Sequence, residues 1–221
     1  MNVALNWLAA CVTVAVLLVY EVSLAVAQRQ RPERMARSAH ANLREDWFEA
    51  VSAQKGSEVL AVQTLRNALM SASMSASTAA LGLMGTVTLA VPSLHGELGD
   101  AASGLPHVTP RLAMELVLLA LLFASLVSSV MAVRYYNHAG FVGGMPVESE
   151  ARKRWAPAGS AYVRKAGLLY SWGLRQFVLV APVVAFILHP VAGPIAAVVV
   201  SGVLLSFDRF QPRGLNDEPR T

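Results

Sequence analysis

The sequence predicts an all-α polytopic membrane protein, with about five transmembrane helices and one amphipathic helix at the cytoplasmic interface. Of its 221 residues, 55% are hydrophobic and 14% are charged, against about 25% charged in an average soluble domain. The mean hydropathy is +0.48, and long apolar runs alternate with basic segments. One aqueous core cannot bury so much apolar surface, so we expect lipid to solvate the rest.

The basic charge and the single cysteine exclude several classes of site. The pI is about 9.6, but the Lys and Arg residues flank the apolar runs, which is typical of topology signals and not of nucleic-acid binding. Cys11 is the sole cysteine and lies in an apolar run, so neither an intrachain disulfide nor a Cys-rich metal site is expected. We expect no cofactor and no metal. The expected partners are membrane lipids, a small anion and further copies of the chain.

The first helix is predicted over residues 3–27, a run broken only by Asn6 and Glu21. A cleaved signal peptide is the rival interpretation, because Ala25-Val26-Ala27 resembles a cleavage site. However, no Lys or Arg precedes the run, the run exceeds the roughly 7 to 15 residues of a signal core, and arginines from Arg29 onward follow it. We therefore expect an uncleaved helix with its N-terminus outside.

A polar segment over residues 33–55 has the pattern of an amphipathic helix. Its apolar residues recur at i, i+4 spacing with Phe48 beside them: Met35, Ala39, Leu43, Trp47 and Val51. Such a stripe predicts a helix in the plane of the cytoplasmic interface. Packing of the same helix on its own protein is the alternative.

The next two transmembrane helices are predicted over residues 59–91 and 111–134. Both carry rows of small residues, namely Ser71/Ser75/Ala79 and Ala72/Ala76/Ala80 in one helix and Ala120/Ala124/Ser128/Ala132 in the other. Small residues allow close helix approach in lipid, so these two helices are expected at the centre of the bundle.

The last apolar region, residues 167–207, is long enough to cross the membrane twice. Its 41 residues would extend about 60 Å as one helix, twice the hydrocarbon core. Pro190 and Pro194 supply a break, which predicts helices over 167–188 and 191–207 and a polar tail over 208–221. The rival topology has four spans, with this region re-entrant or strongly tilted.

The positive charges set the orientation. The segments 28–67, 134–165 and 208–221 carry 7, 6 and 3 Lys or Arg residues, and the connection 92–110 carries none. The positive-inside rule therefore places the N-terminus outside and the C-terminus inside. The expected location is the cell membrane, which is the inner membrane if the source is a Gram-negative bacterium.

Polar residues from all five helices fall in the cytoplasmic third of this topology. The candidate ligand-binding residues are Arg66, Asn67, Arg134, Asn137, His138 and Arg175, and the candidates for internal pairing are Glu21 and Asp208. Charges at this depth are costly unless they face protein or water. Three arginines against two carboxylates leave room for one anion, which arginine engages with two parallel hydrogen bonds.

The leading hypothesis is a non-enzymatic protein that binds or moves a small anionic solute or a lipid headgroup at this cluster. The alternative is a structural or assembly protein whose cluster only pairs internally. An enzyme acting on lipid through His138 and Tyr135 comes third, and no catalytic residue is assigned because the sequence lacks known catalytic motifs.

The chain resembles a family of uncharacterised membrane proteins, catalogued as domain of unknown function 599. The matching motifs are Arg44-x-x-Trp47, the run from Ala61 to Asn67, the run from Ala132 to Phe141, Gly173-Leu174-Arg175-x-Phe177, Gly193-Pro194 and Asp208. The resemblance covers residues 5–210 and implies a multi-pass membrane protein without an established activity. An aromatic residue often follows the fourth motif in the family, where this chain has Val178.

Overall fold

The structure is a computed structural model that describes residues 3–32, 35–99 and 108–208. Across these residues the chain forms α1 Val3–Gln30, α2 Ala36–Ala53, α3 Glu58–Gly99, α4 Pro110–Gly143, α5 Glu150–Val178, α6 Val180–Leu188 and α7 Ala192–Asp208. The predicted tail after Asp208 and part of the connection 92–110 lie outside the described residues. The predicted all-α class is confirmed.

Four helical stretches of the described chain are long and apolar enough to cross a membrane. They are Val3–Gln30, Glu58–Gly96, Pro110–Gly143 and Glu150–Leu188, and Ala192–Asp208 is a shorter apolar helix. The protein is therefore a polytopic membrane protein. Its N-outside orientation and the fifth crossing stay predictions.

The helix that was predicted to begin at residue 167 begins at Glu150. Ser149 caps α5 by accepting a hydrogen bond from the Arg152 backbone N–H at 3.1 Å, and the helix continues through the charged stretch that follows. Pro182 explains the interruption at Leu179, because its ring lacks an N–H for the Val178 carbonyl and clashes with it. Polar residues on one face of α5 concealed this extension in the sequence.

Helix α4 alone occupies the centre of the bundle, since it packs against α3, α5 and α6, whereas α3 packs mainly on α4. The prediction that both helices are central is correct only for α4. A Cβ at Gly82 would lie 3.1 Å from Leu122, and a Cβ at Gly143 would lie 3.3 Å from Leu65, so α3 and α4 run antiparallel. Small-residue rows permit close approach but do not reveal which side of a helix faces the middle.

The chain turns at residues 189–191, between α6 and α7. At Gly193, just after this turn, a Cβ would lie 2.7 Å from Phe186 and 2.8 Å from the Thr13 hydroxyl. Only glycine therefore permits α7 to approach α6 and α1 this closely.

Helix α2 packs lengthwise on α5 through a face centred on Phe48, which is fully buried. A Cβ at Gly159 of α5 would collide with the Phe48 ring. The predicted i, i+4 stripe does not coincide with this face, since its Leu43 is 64% exposed. Each step of four residues turns about 40° beyond a full helical turn, so a row at this spacing drifts around the helix. Packing on the protein, the alternative left open by the sequence, is what α2 shows.

Candidate functional site

The structure brings only some of the predicted site residues together. Arg175 of α5 bonds to Asp208 of α7, and Glu21 of α1 accepts a hydrogen bond from Gln176, the residue after Arg175. The other candidates are exposed on α3 and α4: Arg66, Asn67, Arg134, Asn137 and His138. Gly173, which lies two residues before Arg175, packs near Ser128 of α4. Arg175 is therefore near the level of Ser128, and His138 lies about 15 Å further along α4.

Arg175 and Asp208 form a buried ion pair, with the Arg175 Nη2 donating to Asp208 Oδ1. Tyr20 donates its hydroxyl hydrogen to Asp208 Oδ2 at 2.7 Å. Next to them, Gln176 Nε2 donates to Glu21 Oε1 at 3.0 Å. We call these residues, together with Arg37, the inner polar cluster. They tie the first span to the fourth span and to α7.

Arg37 is a member of the cluster that sequence reasoning missed. Burial lowers the pKa of its guanidinium, and the positive charge of Arg175 lowers it further, while Glu21 and Asp208 raise it. The cluster thus contains two arginines and two carboxylates. The predicted excess of three arginines over two carboxylates is not found here, since Arg66 and Arg134 lie elsewhere. The spacing of the residues in α2 did indicate its position. Arg37 lies four residues before Ala41 and eleven residues before Phe48, which places it on the same face of the helix as these two buried residues.

The cluster keeps unused hydrogen-bond donors. Among the described residues, Arg37 Nε and Arg175 Nε and Nη1 are buried without a partner. Buried guanidinium N–H groups normally bind an acceptor. The cluster therefore has capacity for an acceptor, although its formal charges already balance.

A second feature, which we call the lateral groove, lies between α2 and α3. It has a volume of about 340 Å³ and is lined by Leu43, Arg44, Trp47, Thr64, Leu65, Ala68, Tyr136 and Val163. Its floor consists of the buried Leu65, Tyr136 and Val163. Leu43 and Thr64 are exposed at its rim. The groove joins two motif segments, Arg44-x-x-Trp47 and Thr64-Leu65, that are far apart in the sequence.

Arg44 brings a positive charge into this mostly apolar groove. Its Nη1 donates to the His40 carbonyl at 3.2 Å, and it has no ion pair with any described residue. A Cβ at Gly167 would lie 2.5 Å from Arg44 Nη1, so glycine makes the room for the guanidinium. Arg44 belongs to a family motif, but it was not among the site residues predicted from the sequence.

His138 lies in an aromatic strip on α4 and α5. Its ring centroid is 5.6 Å from that of Tyr162, which is 6.0 Å from that of Tyr135. Lys165 Nζ lies 5.8 Å above the Tyr135 ring. These are ring contacts, and His138 and Tyr135 are not hydrogen-bonded to each other, so the strip shows no acid/base pair of the kind that the enzyme hypothesis needs.

Apolar packing separates the inner polar cluster from the polar groups at the other end of the bundle. There, Glu115 is buried and accepts a hydrogen bond from Arg111 Nε at 3.0 Å. Leu118 and Leu122 follow Glu115 on α4 within a hydrophobic core that includes Leu17. The described residues contain no group of three His, Cys, Asp or Glu side chains suited to a metal ion.

The helices and the buried charges define an all-α multi-pass membrane protein with polar groups placed between its helices. Residues 8–213 match the family described as "Protein of unknown function, DUF599". The chain belongs to this family, as its motifs indicated. No curated protein and no solved structure matches the chain.

Proposed function

We propose that this protein binds an anionic group in the lateral groove, without catalysing a reaction, and that Arg44 is the residue that holds the anion. The observation that carries the proposal is a partly buried arginine without an ion pair to any described residue, which lines a groove of about 340 Å³ whose walls are mostly apolar. The nearest carboxylate along the chain, Glu45, is engaged by Arg164 at 3.2 Å.

The physical reason is the cost of a lone charge in an apolar setting. A cation that is partly removed from water gains from an anionic partner more than a fully exposed one does, because the local dielectric screens the attraction less. Arg66 and Arg134 are exposed on α3 and α4 and add positive charge near the same end of the bundle. Their positive charges would attract an anion towards the groove, and Arg44 would bind it there.

Binding is favoured over movement across the membrane. The core around Leu118 and Leu122 separates the polar groups of the two ends, and transport usually needs polar groups along the whole path. The enzyme hypothesis has less support still, since His138 only stacks on Tyr162.

A structural role is the second candidate, and the inner polar cluster favours it. Arg175, Asp208, Tyr20, Glu21 and Gln176 are joined by an ion pair and two further hydrogen bonds across three helices. The charges of the cluster balance once Arg37 is included. In this alternative the cluster only fixes the packing of the helices, and the groove stays empty.

The two candidates differ in their response to anions. Purified protein in detergent is titrated with inorganic phosphate and, separately, with dioleoyl phosphatidylglycerol, and the thermal unfolding midpoint is followed. We expect at least one anion to raise the midpoint of the wild type. The Arg44→Gln variant should lose this rise, since a charge-assisted hydrogen bond contributes about 1.5–3 kcal/mol.

Arg154→Gln is the matched control, because Arg154 is an exposed arginine outside the groove. It should respond to the anion like the wild type. An equal response of Arg44→Gln and Arg154→Gln, or no response of the wild type to either anion, would leave the structural role as the better account.

A further inference from the structure

The lateral groove has the form of a site for a lipid and not for a free ion. Resting on the proposed function, we propose that its occupant is an anionic phospholipid, whose phosphate binds Arg44 and whose acyl chain leaves the groove between α2 and α3 along α3. The groove is about ten times the roughly 30 Å³ that one water molecule occupies in the liquid. A small inorganic anion would leave most of this space unfilled.

The walls of the groove suit a molecule with one charged end and one apolar end. The polar side chains that line it are Arg44, Thr64 and Tyr136, while Trp47, Leu65 and Val163 offer mostly apolar surface. A hydrophilic solute would lose hydration against these walls without compensation. An acyl chain would gain from the same contact.

The groove also has a lateral exit. Helices α2 and α3 touch each other at few positions, so the space between them is open on the side away from α4 and α5. From Ala68 onward α3 is largely apolar, so the opening leads along this helix into the part of the chain that lipid surrounds. A lipid can therefore enter without crossing an aqueous path.

Small residues continue the groove along α3. Thr64, Ala68, Ser71 and Ser75 follow at intervals of four, three and four residues, which places them on one face of the helix. The Ser71 hydroxyl donates to the Asn67 carbonyl at 3.1 Å, so it does not require a polar partner. This face offers a shallow track in which an acyl chain fits.

The test separates the charge of the ligand from its chain. Native mass spectrometry of protein in detergent measures the dissociation constants of dioleoyl phosphatidylglycerol, dioleoyl phosphatidylcholine and glycerol 3-phosphate. We expect phosphatidylglycerol to bind at least tenfold more tightly than either of the others. Ala68→Trp, which fills the apolar part of the groove, should weaken phosphatidylglycerol binding about tenfold and leave glycerol 3-phosphate unchanged.

Met74→Trp is the control for the added ring, because Met74 is 70% exposed on α3 and does not line the groove. It should bind phosphatidylglycerol like the wild type. Equal affinity for glycerol 3-phosphate and phosphatidylglycerol, with no effect of Ala68→Trp, would refute the lipid while leaving an anion at Arg44. Phosphatidylglycerol binding that Arg44→Gln does not weaken would overturn both proposals. Equal losses in Ala68→Trp and Met74→Trp would also count against the groove.

Discussion

Removing one partner of the buried ion pair should destabilise the protein strongly. In Arg175→Ala, the Asp208 carboxylate stays buried and keeps only the hydrogen bond from Tyr20. Breaking a buried pair in this way typically costs about 3–5 kcal/mol. We expect a loss near the lower end of this range, about 3 kcal/mol, because Tyr20 still donates a hydrogen bond to the Asp208 carboxylate. At about 2–4 °C per kcal/mol for a chain of this size, the unfolding midpoint should fall by about 6–12 °C.

The assay is thermal unfolding in detergent, followed by tryptophan fluorescence. Arg134→Ala is the matched control, because Arg134 is exposed and forms no ion pair with a described residue. Its effect should stay within about 0.5 kcal/mol. The double variant Arg175→Met, Asp208→Leu should lose less than Arg175→Ala alone, since an apolar pair leaves no uncompensated charge. If Arg175→Ala and Arg134→Ala unfold at the same temperature, the buried pair does not have the role assigned to it.

Three further predictions concern topology, packing and assembly. In a Cys11→Ser background, a membrane-impermeant thiol reagent should label His95→Cys in intact cells and Glu148→Cys only after lysis; labelling of both under the same condition would contradict the orientation. Gly159→Val should displace Phe48 and destabilise the protein by about 1–3 kcal/mol, measured as a lower unfolding midpoint, whereas an unchanged midpoint would argue against the α2–α5 packing. Light scattering in several detergents should give the mass of a homo-oligomer, and a monomer throughout would refute this expectation.

The sequence does not determine on which side of a helix its polar residues lie, and their depth in the membrane stays a prediction. Charge asymmetry and apolar length indicate where a residue stands along the membrane normal. Whether Arg66 points towards the cluster or away from it depends on how α3 packs on α4, and the sequence does not contain that rotation. For this reason Arg175 and Asp208 meet, while Arg66 and Arg134 stay exposed.

Helix α2 shows the same limit in a polar segment. Its helical character followed from the sequence, but a row at i, i+4 spacing drifts around the helix, and the buried face centres on Phe48. Arg37 and Arg44 lie on or beside that face and were taken for topology signals because of their charge. Their roles follow only from the packing of α2 against α5, which the glycines at 159 and 167 permit.

The motif glycines had physical reasons that the sequence alone did not reveal. Gly193 lies where a Cβ would meet Phe186 and Thr13, and a Cβ at Gly173 would lie 3.0 Å from the Ser129 hydroxyl. Each of these glycines allows two helices to approach closely beside a polar residue, Thr13 in one case and Ser129 in the other. The break at Pro190, in contrast, followed from the sequence because proline acts through local geometry.

The most direct test of the central claim is the lipid that the protein retains from its own membrane. Native mass spectrometry of wild type, Arg44→Gln and Arg154→Gln, purified side by side in mild detergent, measures that occupancy. We expect an anionic phospholipid bound to wild type and Arg154→Gln and largely absent from Arg44→Gln. The same phospholipid occupancy in all three proteins would contradict an anion site at Arg44, and no phospholipid in any of them would contradict the lipid as its occupant.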